Sequence, residues 1–193
     1  MMKVILHPGK EEYQDLLMRP HKDAADLGAI VASVLNDVRL EGDKAVLRYE
    51  AMYDKVELLS LEVTDKEILE AESLVSEELK QSIKLAHDNI YRFHEAQRMQ
   101  PVRVETAPGV HCWQKSVAIE KVGLYIPGGT APLFSTVLML ATPARIAGCT
   151  DIVLCSPPSR DGKLHPAILY AAKIAGVNRI FKCGGVQAIG AMA

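Results

Sequence analysis

The chain has 193 residues, of which 49% are hydrophobic and 24% charged, as in an ordinary globular protein with one sizeable core. Lysine and arginine number 22 against 24 acidic residues, and this net charge of −2 gives no electrostatic reason to expect nucleic acid or an anionic membrane as a partner. Because no stretch reaches the roughly 18 uninterrupted apolar residues of a membrane span, we expect no membrane association.

The amino terminus and the cysteines favour a cytoplasmic location. The apolar run 4–6 is broken by His7-Pro8, which makes it too short for a signal peptide. None of the cysteines forms a C-x-x-C pair, and Cys149, Cys155 and Cys183 fall in or beside predicted core elements, where free cysteine acts as a small hydrophobe. We therefore expect a reduced, cytoplasmic protein.

The first hundred residues have helical periodicity. From Asp23 to Leu40, apolar residues recur at intervals of three and four and so share one helix face. Gly42 ends this helix, and Asp43 can cap a second one through about Tyr53. Residues 1–100 are predicted to form a helical amino-terminal segment that serves as a cap or an oligomerisation arm.

Two further helices in this segment carry start signals. Thr64 and Glu67 have capping-box spacing, and Ser76 can cap a long helix that Pro101 bounds. The apolar stripe predicted for that helix consists of Leu79, Ile83, Ala86, Ile90 and Phe93.

The periodicity changes after residue 101. Alternation over 102–115, with Pro108-Gly109 in the middle, predicts a short hairpin. The runs KVGLYI, DIVLCS and NRIFKCGG are typical of buried parallel strands, and helical patterns over about 135–147 and 166–175 separate them. Residues 101–193 are therefore predicted to form a partial Rossmann-like domain, and the fold class is α/β: an incomplete Rossmann-like parallel sheet with an amino-terminal helical segment.

The first crossover helix has two notable features. Ser135-Thr136 is predicted to cap it, with contact between that cap and a bound phosphate as the functional alternative. Pro143 costs about 3 kcal/mol inside an unbroken helix, so we expect a kink or two abutting helices near Thr142.

A sheet of only three strands is short and leaves an open edge where the next strand would pair. The sequence stops at Ala193, about two turns into a helix that Gly184-Gly185 introduces. We expect either a fragment, truncated at the carboxyl end, or a unit that another chain completes.

Ligands of open α/β sheets bind outside the carboxyl ends of the strands. Two glycine loops follow predicted strands, 125–130 and 183–187, and Tyr125 and Gln187 in them could face one ligand. Gly128 and Gly129 allow a backbone to approach that ligand closely. Neither G-x-G-x-x-G nor G-x-x-x-x-G-K-[ST] is present, and each loop taken alone can be read as a tight strand-to-helix turn.

The sequence predicts no metal site and no catalytic residue. His87 and His94 are seven residues apart near one helix face, but no carboxylate is spaced to complete a site, so a solvated face is the better interpretation. Cys155 and Cys183 end predicted strands, where a nucleophile could be exposed, yet no histidine is spaced near either. Buried strand cysteines are favoured.

Several long stretches resemble the amino-terminal half of the histidinol dehydrogenase family. They are VGLYIPGGTAPLFSTVLMLATPARIAGCTDIVLCSPP (122–158), CGGVQAIGAMA (183–193), EGDKAVLRYEAMYD (41–54) and NIYRFHEAQ (89–97). The resemblance covers nearly the whole chain, and its central motif is too long to match by chance.

The resemblance implies an NAD-dependent, zinc-requiring oxidation of L-histidinol to L-histidine through enzyme-bound L-histidinal, in a homodimer built from incomplete nucleotide-fold domains. It also implies that Tyr125 and Gln187 contact NAD, alongside Gly128 and Gly129. The resemblance further implies that the family's zinc ligands and its water-activating pair fall in sequence beyond Ala193. We therefore expect this chain to be inactive alone. A non-catalytic fragment acting as a binding or assembly module is the alternative, and an unrelated small NAD-binding protein is a weaker third.

Overall fold

The computed structural model describes residues 4–19, 25–129 and 131–193, with the backbone only at residues 25 and 26. Asp23 and Thr130, which belong to a predicted helix and a predicted loop, lie outside the described residues. The helices are α1 (Tyr13–Leu17), α2 (Ala25–Glu41), α3 (Asp43–Tyr49), α4 (Asp65–Leu74), α5 (Glu77–Ala96), α6 (Phe134–Ala147), α7 (Pro166–Ile174) and α8 (Gly185–Met192). The strands are β1 (Arg103–Ala107), β2 (Val110–Trp113), β3 (Lys121–Tyr125), β4 (Asp151–Ser156) and β5 (Arg179–Lys182). None of the described helices is both long enough and apolar enough to cross a bilayer.

The start signals at Thr64 and Ser76 act as the sequence predicts, whereas Asp43 is the first residue of α3 and does not cap it. Thr64 and Glu67 form a reciprocal capping box at α4, in which the Glu67 amide donates to Thr64 Oγ1 at 3.3 Å and the Thr64 amide donates to Glu67 Oε2 at 2.9 Å. Ser76 Oγ accepts from the Leu79 amide at 3.3 Å and caps α5. Gly42, with φ of 58°, separates α2 from α3 in a backbone conformation that favours glycine.

The predicted apolar stripe of α5 is correct except at its carboxyl end. Ile83 is fully buried, and Leu79, Ala86 and Ile90 pack against the same core. Phe93 is 64% exposed, with its ring edge-on to the His94 imidazole. The last turn of α5 borders an open groove rather than packed side chains, so the stripe ends one turn earlier than predicted.

The hairpin lies apart from the core. Strands β1 and β2 pair antiparallel from Arg103 opposite Trp113 to Ala107 opposite Val110, which confirms the predicted hairpin. Every residue of both strands is exposed, including Trp113 at 72%.

Strands β3, β4 and β5 form a parallel three-stranded sheet in that order, which confirms the α/β class. Leu124 pairs with Leu154, and Leu154 pairs with Ile180. Alternate residues of the strands belong to two different hydrophobic clusters. Both faces of the sheet are therefore buried, which explains the continuous apolar runs in the sequence.

The amino-terminal segment supplies cover for both faces. The cluster on one face includes residues of α4, α5, α6 and α7, and the cluster on the other includes residues of α2, α3 and α8. Residues on either side of the predicted boundary at residue 100 thus share both cores. The division at residue 100 into a helical segment and a partial Rossmann-like domain remains a prediction.

The expectation of an open sheet edge is wrong at β5. Residues 61–63 run antiparallel along it, where the Lys182 amide donates to the Leu61 carbonyl at 2.7 Å and the Val63 amide donates to the Ile180 carbonyl at 2.9 Å. The Arg179 guanidinium adds a bidentate ion pair to Glu62. At the opposite edge, no described strand pairs with the outer side of β3.

Helix α6 differs from two predictions. It is one helix that includes Pro143, so two abutting helices are not formed. The carbonyl that loses its bond to the proline nitrogen is that of Met139, whose side chain is half-exposed, and water can replace the bond there. The residue at the amino cap is Leu133, without a side-chain hydrogen bond, so Ser135-Thr136 does not cap α6.

Because α5 packs on the helices that cover the sheet, truncating a buried and an exposed residue of α5 should have very different effects on the free energy of unfolding. Ile83→Ala removes a fully buried side chain and should lower the free energy of unfolding by about 2–5 kcal/mol. Leu85→Ala removes a side chain that is 64% exposed and should change it by less than about 0.5 kcal/mol. Urea unfolding monitored by circular dichroism measures both, and equal effects would contradict this packing.

Candidate functional site

Three loops meet at the carboxyl edge of the sheet, because all three strands run in the same direction. Pro157, directly after β4, lies between the two glycine loops. A Cβ atom added to Gly128 would be 2.7 Å from Pro157 Cγ, and one added to Gly184 would be 2.7 Å from Pro157 Cβ. Both glycines are therefore needed for close packing on the two sides of the proline ring.

Gly129 has a different environment from Gly128. A Cβ atom added to Gly129 would meet no atom within 4 Å, and the residue is exposed. The structure around it gives no packing reason for glycine, so its open backbone is available to a ligand. Helix α6 follows this loop with no side-chain cap, which leaves first-turn N–H groups available to an anionic group.

Tyr125 links the two predicted loops. It ends β3, and its hydroxyl oxygen accepts a hydrogen bond from the Gly185 amide at 3.1 Å. Gly185 has φ of 56° and is the first residue of α8. The sequence prediction placed both loops at one edge, and this bond holds them together there.

Gln187 lies beneath the edge rather than on it. Its side chain is 1% exposed, and its Nε2 donates to Glu50 Oε1 at 3.0 Å. In this conformation a ligand on the surface would reach Gln187 only if the Gly184-Gly185 loop opened. The predicted contact between Gln187 and NAD remains a prediction.

Glu50 is a residue of this site that the sequence analysis missed. It is fully buried, and its Oε1 also accepts from the Gly184 amide at 2.9 Å. Burial raises the pKa of the Glu50 carboxyl above its ordinary value, against the opposing effect of the bonds from Gly184 and Gln187. A signal was present, because Glu50 follows buried Val46 by four residues and so falls on the apolar face of the helix.

The other candidate residues lie in two separate places, the cysteines in the cluster under the sheet and the histidines on α5. Cys155 and Cys183 are buried in one cluster, where the neighbouring Cys155 and burial raise the pKa of Cys183, so that it stays a weakly nucleophilic thiol. His94 Nδ1 lies 2.8 Å from Gln97 Oε1, and His87 Nδ1 lies 3.4 Å from Asp88. Within the described ranges, no group of three or more histidine, cysteine, aspartate or glutamate residues could hold a metal ion.

Comparison with known proteins gives consistent matches. The sequence model of a family described as histidinol dehydrogenase matches residues 17–193. A histidinol dehydrogenase of Bacteroides thetaiotaomicron is 62% identical over 193 residues, which are 100% of this chain and 45% of that protein. One of Salmonella typhimurium is 52% identical over 184 residues, covering 95% of this chain and 42% of that protein.

A solved structure matches in the same way. The crystal structure of histidinol dehydrogenase from Elizabethkingia anophelis superposes with a TM-score of 0.90 at 48% identity, covering 96% of this chain and 43% of that one. The chain thus spans less than half the length of the relatives it matches.

The two adjacent glycines should respond differently to the same substitution. Gly128→Ala places a methyl group against the Pro157 ring and should lower the free energy of unfolding by about 1–3 kcal/mol. Gly129→Ala places it in open space and should change that free energy by less than about 0.5 kcal/mol. Thermal and urea unfolding of both variants test this difference, and a reversed order would show that the loops pack differently.

Proposed function

Since this chain belongs to the histidinol dehydrogenase family, we propose that it forms the NAD-contacting part of an enzyme that oxidises L-histidinol, through L-histidinal, to L-histidine. It spans about 45% of the length of the Bacteroides thetaiotaomicron relative. The substrates, cofactors and assembly of the whole enzyme are accordingly part of the proposal.

The bond between Tyr125 and the Gly185 amide is the observation that carries this proposal. It joins two glycine loops at the carboxyl edge of a parallel sheet, which is where open α/β sheets bind nucleotides. Gly129 beside it is open, and α6 begins nearby without a side-chain cap. An extended anionic ligand fits such an edge because free N–H groups and uncrowded backbone are both available.

NAD fits the residues present without the usual glycine fingerprint. The proposed contacts are Tyr125, the backbone of Gly128 and Gly129, and Gln187. NAD supplies the hydride acceptor of the reaction, and this chain's residues bind and orient it. Gln187 takes part either by direct contact after loop opening or by supporting the Gly184-Gly185 backbone from below.

Zinc does not fit the described part of this chain, because no cluster of potential ligands occurs there. We propose that the metal required by the family reaction is held by sequence outside the matched portion, and that this chain binds none. The groups that activate the alcohol and accept its proton belong with that metal.

A homodimer in the cytoplasm is the proposed state of the assembled enzyme. Exposed apolar side chains on the hairpin support a partner surface, since Val104, Val110 and Trp113 are each at least half-exposed. The second candidate function is a non-catalytic binding or assembly module, which the same surface favours.

The two candidate functions differ in an activity assay. We expect no NADH from the 193-residue chain with L-histidinol, NAD and zinc, because groups that act as a unit lose several orders of magnitude in rate when some are missing. Adding the separately expressed remainder of the Bacteroides thetaiotaomicron relative should restore turnover. Absorbance at 340 nm reports the rate.

Two glycine variants provide the matched control for this assay. Gly129→Leu should raise the NAD concentration that gives half-maximal rate in the mixture, because its side chain would occupy the open edge. Gly28→Leu on α2 also has open space around it and should leave that concentration unchanged. Turnover by the 193-residue chain alone, or equal effects of the two variants, would refute this assignment.

A further inference from the structure

Glu50 is an unusual residue because it carries an ionisable group into the core. It lies at the start of the π-helical stretch Glu50–Asp54, which directly follows α3. Its side chain is fully buried between that stretch and the loop that begins α8. Short π-helical segments occur frequently at functional sites. Glu50 contacts the Gly184 loop at the carboxyl edge of the sheet.

The hydrogen bonds distinguish the two oxygens of this carboxyl. Oε1 accepts twice, from the Gly184 amide at 2.9 Å and from Gln187 Nε2 at 3.0 Å. Oε2 is buried and has no donor. The Asp54 carboxyl interacts with Glu50 and is also an acceptor when ionised. A carboxylic acid with its proton on Oε2 resolves this pattern, because the O–H group then donates to Asp54.

We propose that Glu50 is a positioning residue for the NAD edge, a protonated carboxylic acid that fixes the Gly184 amide and sets the orientation of the Gln187 side-chain amide. This rests on the proposed function only for the identity of the ligand. The contacts of Glu50 are made within this chain and do not depend on which ligand binds.

Glu50 determines which way the Gln187 amide points. Since Gln187 Nε2 donates to Glu50, its Oε1 is the end that faces the loop, and a Cβ atom on Gly185 would be 2.7 Å from that oxygen. Gly185 in turn donates to Tyr125. One buried acid thus controls a chain of contacts that ends at the proposed ligand-binding surface.

The groups around Glu50 favour its neutral form and raise its pKa. Asp54 on its own segment repels a second negative charge, and Cys155 and Cys183 from β4 and the end of β5 also lie near it. Tyr125 faces the same loop from β3. The groups with the largest effect on the pKa of Glu50 include no cation. Ionisation would strengthen the two bonds that Oε1 accepts, but it would leave a charged Oε2 without a donor beside the Asp54 carboxyl, and this repulsion would displace Glu50 from the loop.

This arrangement has a defined pH dependence. The ordinary pKa of glutamate is 4.5, and burial raises the pKa of Glu50 in the folded chain. Above 4.5 the unfolded chain loses this proton while the folded chain keeps it, so folding takes up a proton. The contribution of Glu50 to stability is therefore complete below 4.5 and is lost as pH rises through its raised folded-state pKa, by up to about tenfold in the folding equilibrium constant per pH unit.

Glu50→Gln tests the proposal because its amide reproduces the protonated acid, with a carbonyl for Gly184 and Gln187 and an N–H for Asp54. The experiment measures amide hydrogen exchange at residues 184–187, the folding equilibrium constant and NAD affinity from pH 5 to pH 9. Wild type, Glu50→Gln, Glu50→Ala and the exposed control Glu57→Gln are compared in the 193-residue chain.

We expect wild type and Glu57→Gln to lose exchange protection at residues 184–187 and about tenfold in NAD affinity as pH rises, whereas Glu50→Gln keeps both. Glu50→Ala should show low exchange protection at residues 184–187 and low NAD affinity at every pH. If Glu50→Ala fails to fold, the comparison of wild type with Glu50→Gln still tests the proposal. The same pH dependence in wild type and Glu50→Gln, or loss of exchange protection in Glu50→Gln at low pH, would overturn the proposal. If wild type binds no NAD at any pH, the proposed function is wrong, and hydrogen exchange alone decides the role of Glu50.

Discussion

A parallel sheet of three short strands has two apolar faces, and excluding water from both is the constraint on which this structure depends. The strands are four to six residues long, so the sheet is too small to be stable without cover on each side. The amino-terminal helices provide much of that cover: α4 and α5 on one face, α2 and α3 on the other. Residues 61–63 also close the β5 edge. The carboxyl edge is thus held in place by residues distant in sequence.

The same constraint explains the shape of the proposed NAD edge. Loops can approach each other above the strands only where side chains are small, and Gly128 and Gly184 meet this need on either side of Pro157. A Cβ atom added to Gly129 would meet no atom within 4 Å, so this position is open. The family matches over nearly the whole chain are consistent with one arrangement shared by these proteins. They concern less than half the length of the relatives.

Sequence reasoning succeeded where the determinant is local. Apolar periodicity located the strands, and the Thr64–Glu67 capping box located α4, because both depend on neighbours within a few residues. It failed at the β5 edge and at Phe93, where tertiary surroundings decide the outcome. Glu50 was missed because its partner Gly184 is 134 residues away. The position of Tyr125 followed from the parallel topology, whereas burial of Gln187 did not follow from its place after a strand.

The most direct test of the central claim is a two-dimensional ¹⁵N–¹H spectrum of the 193-residue chain titrated with NAD. The account predicts saturable shifts of the amides of Gly128, Gly129, Gly184 and Gly185, with the exposed hairpin 103–113 unaffected. Shifts confined to the hairpin or to α5, with the four glycine amides unchanged at saturating NAD, would contradict it and would move the nucleotide site away from the carboxyl edge of the sheet.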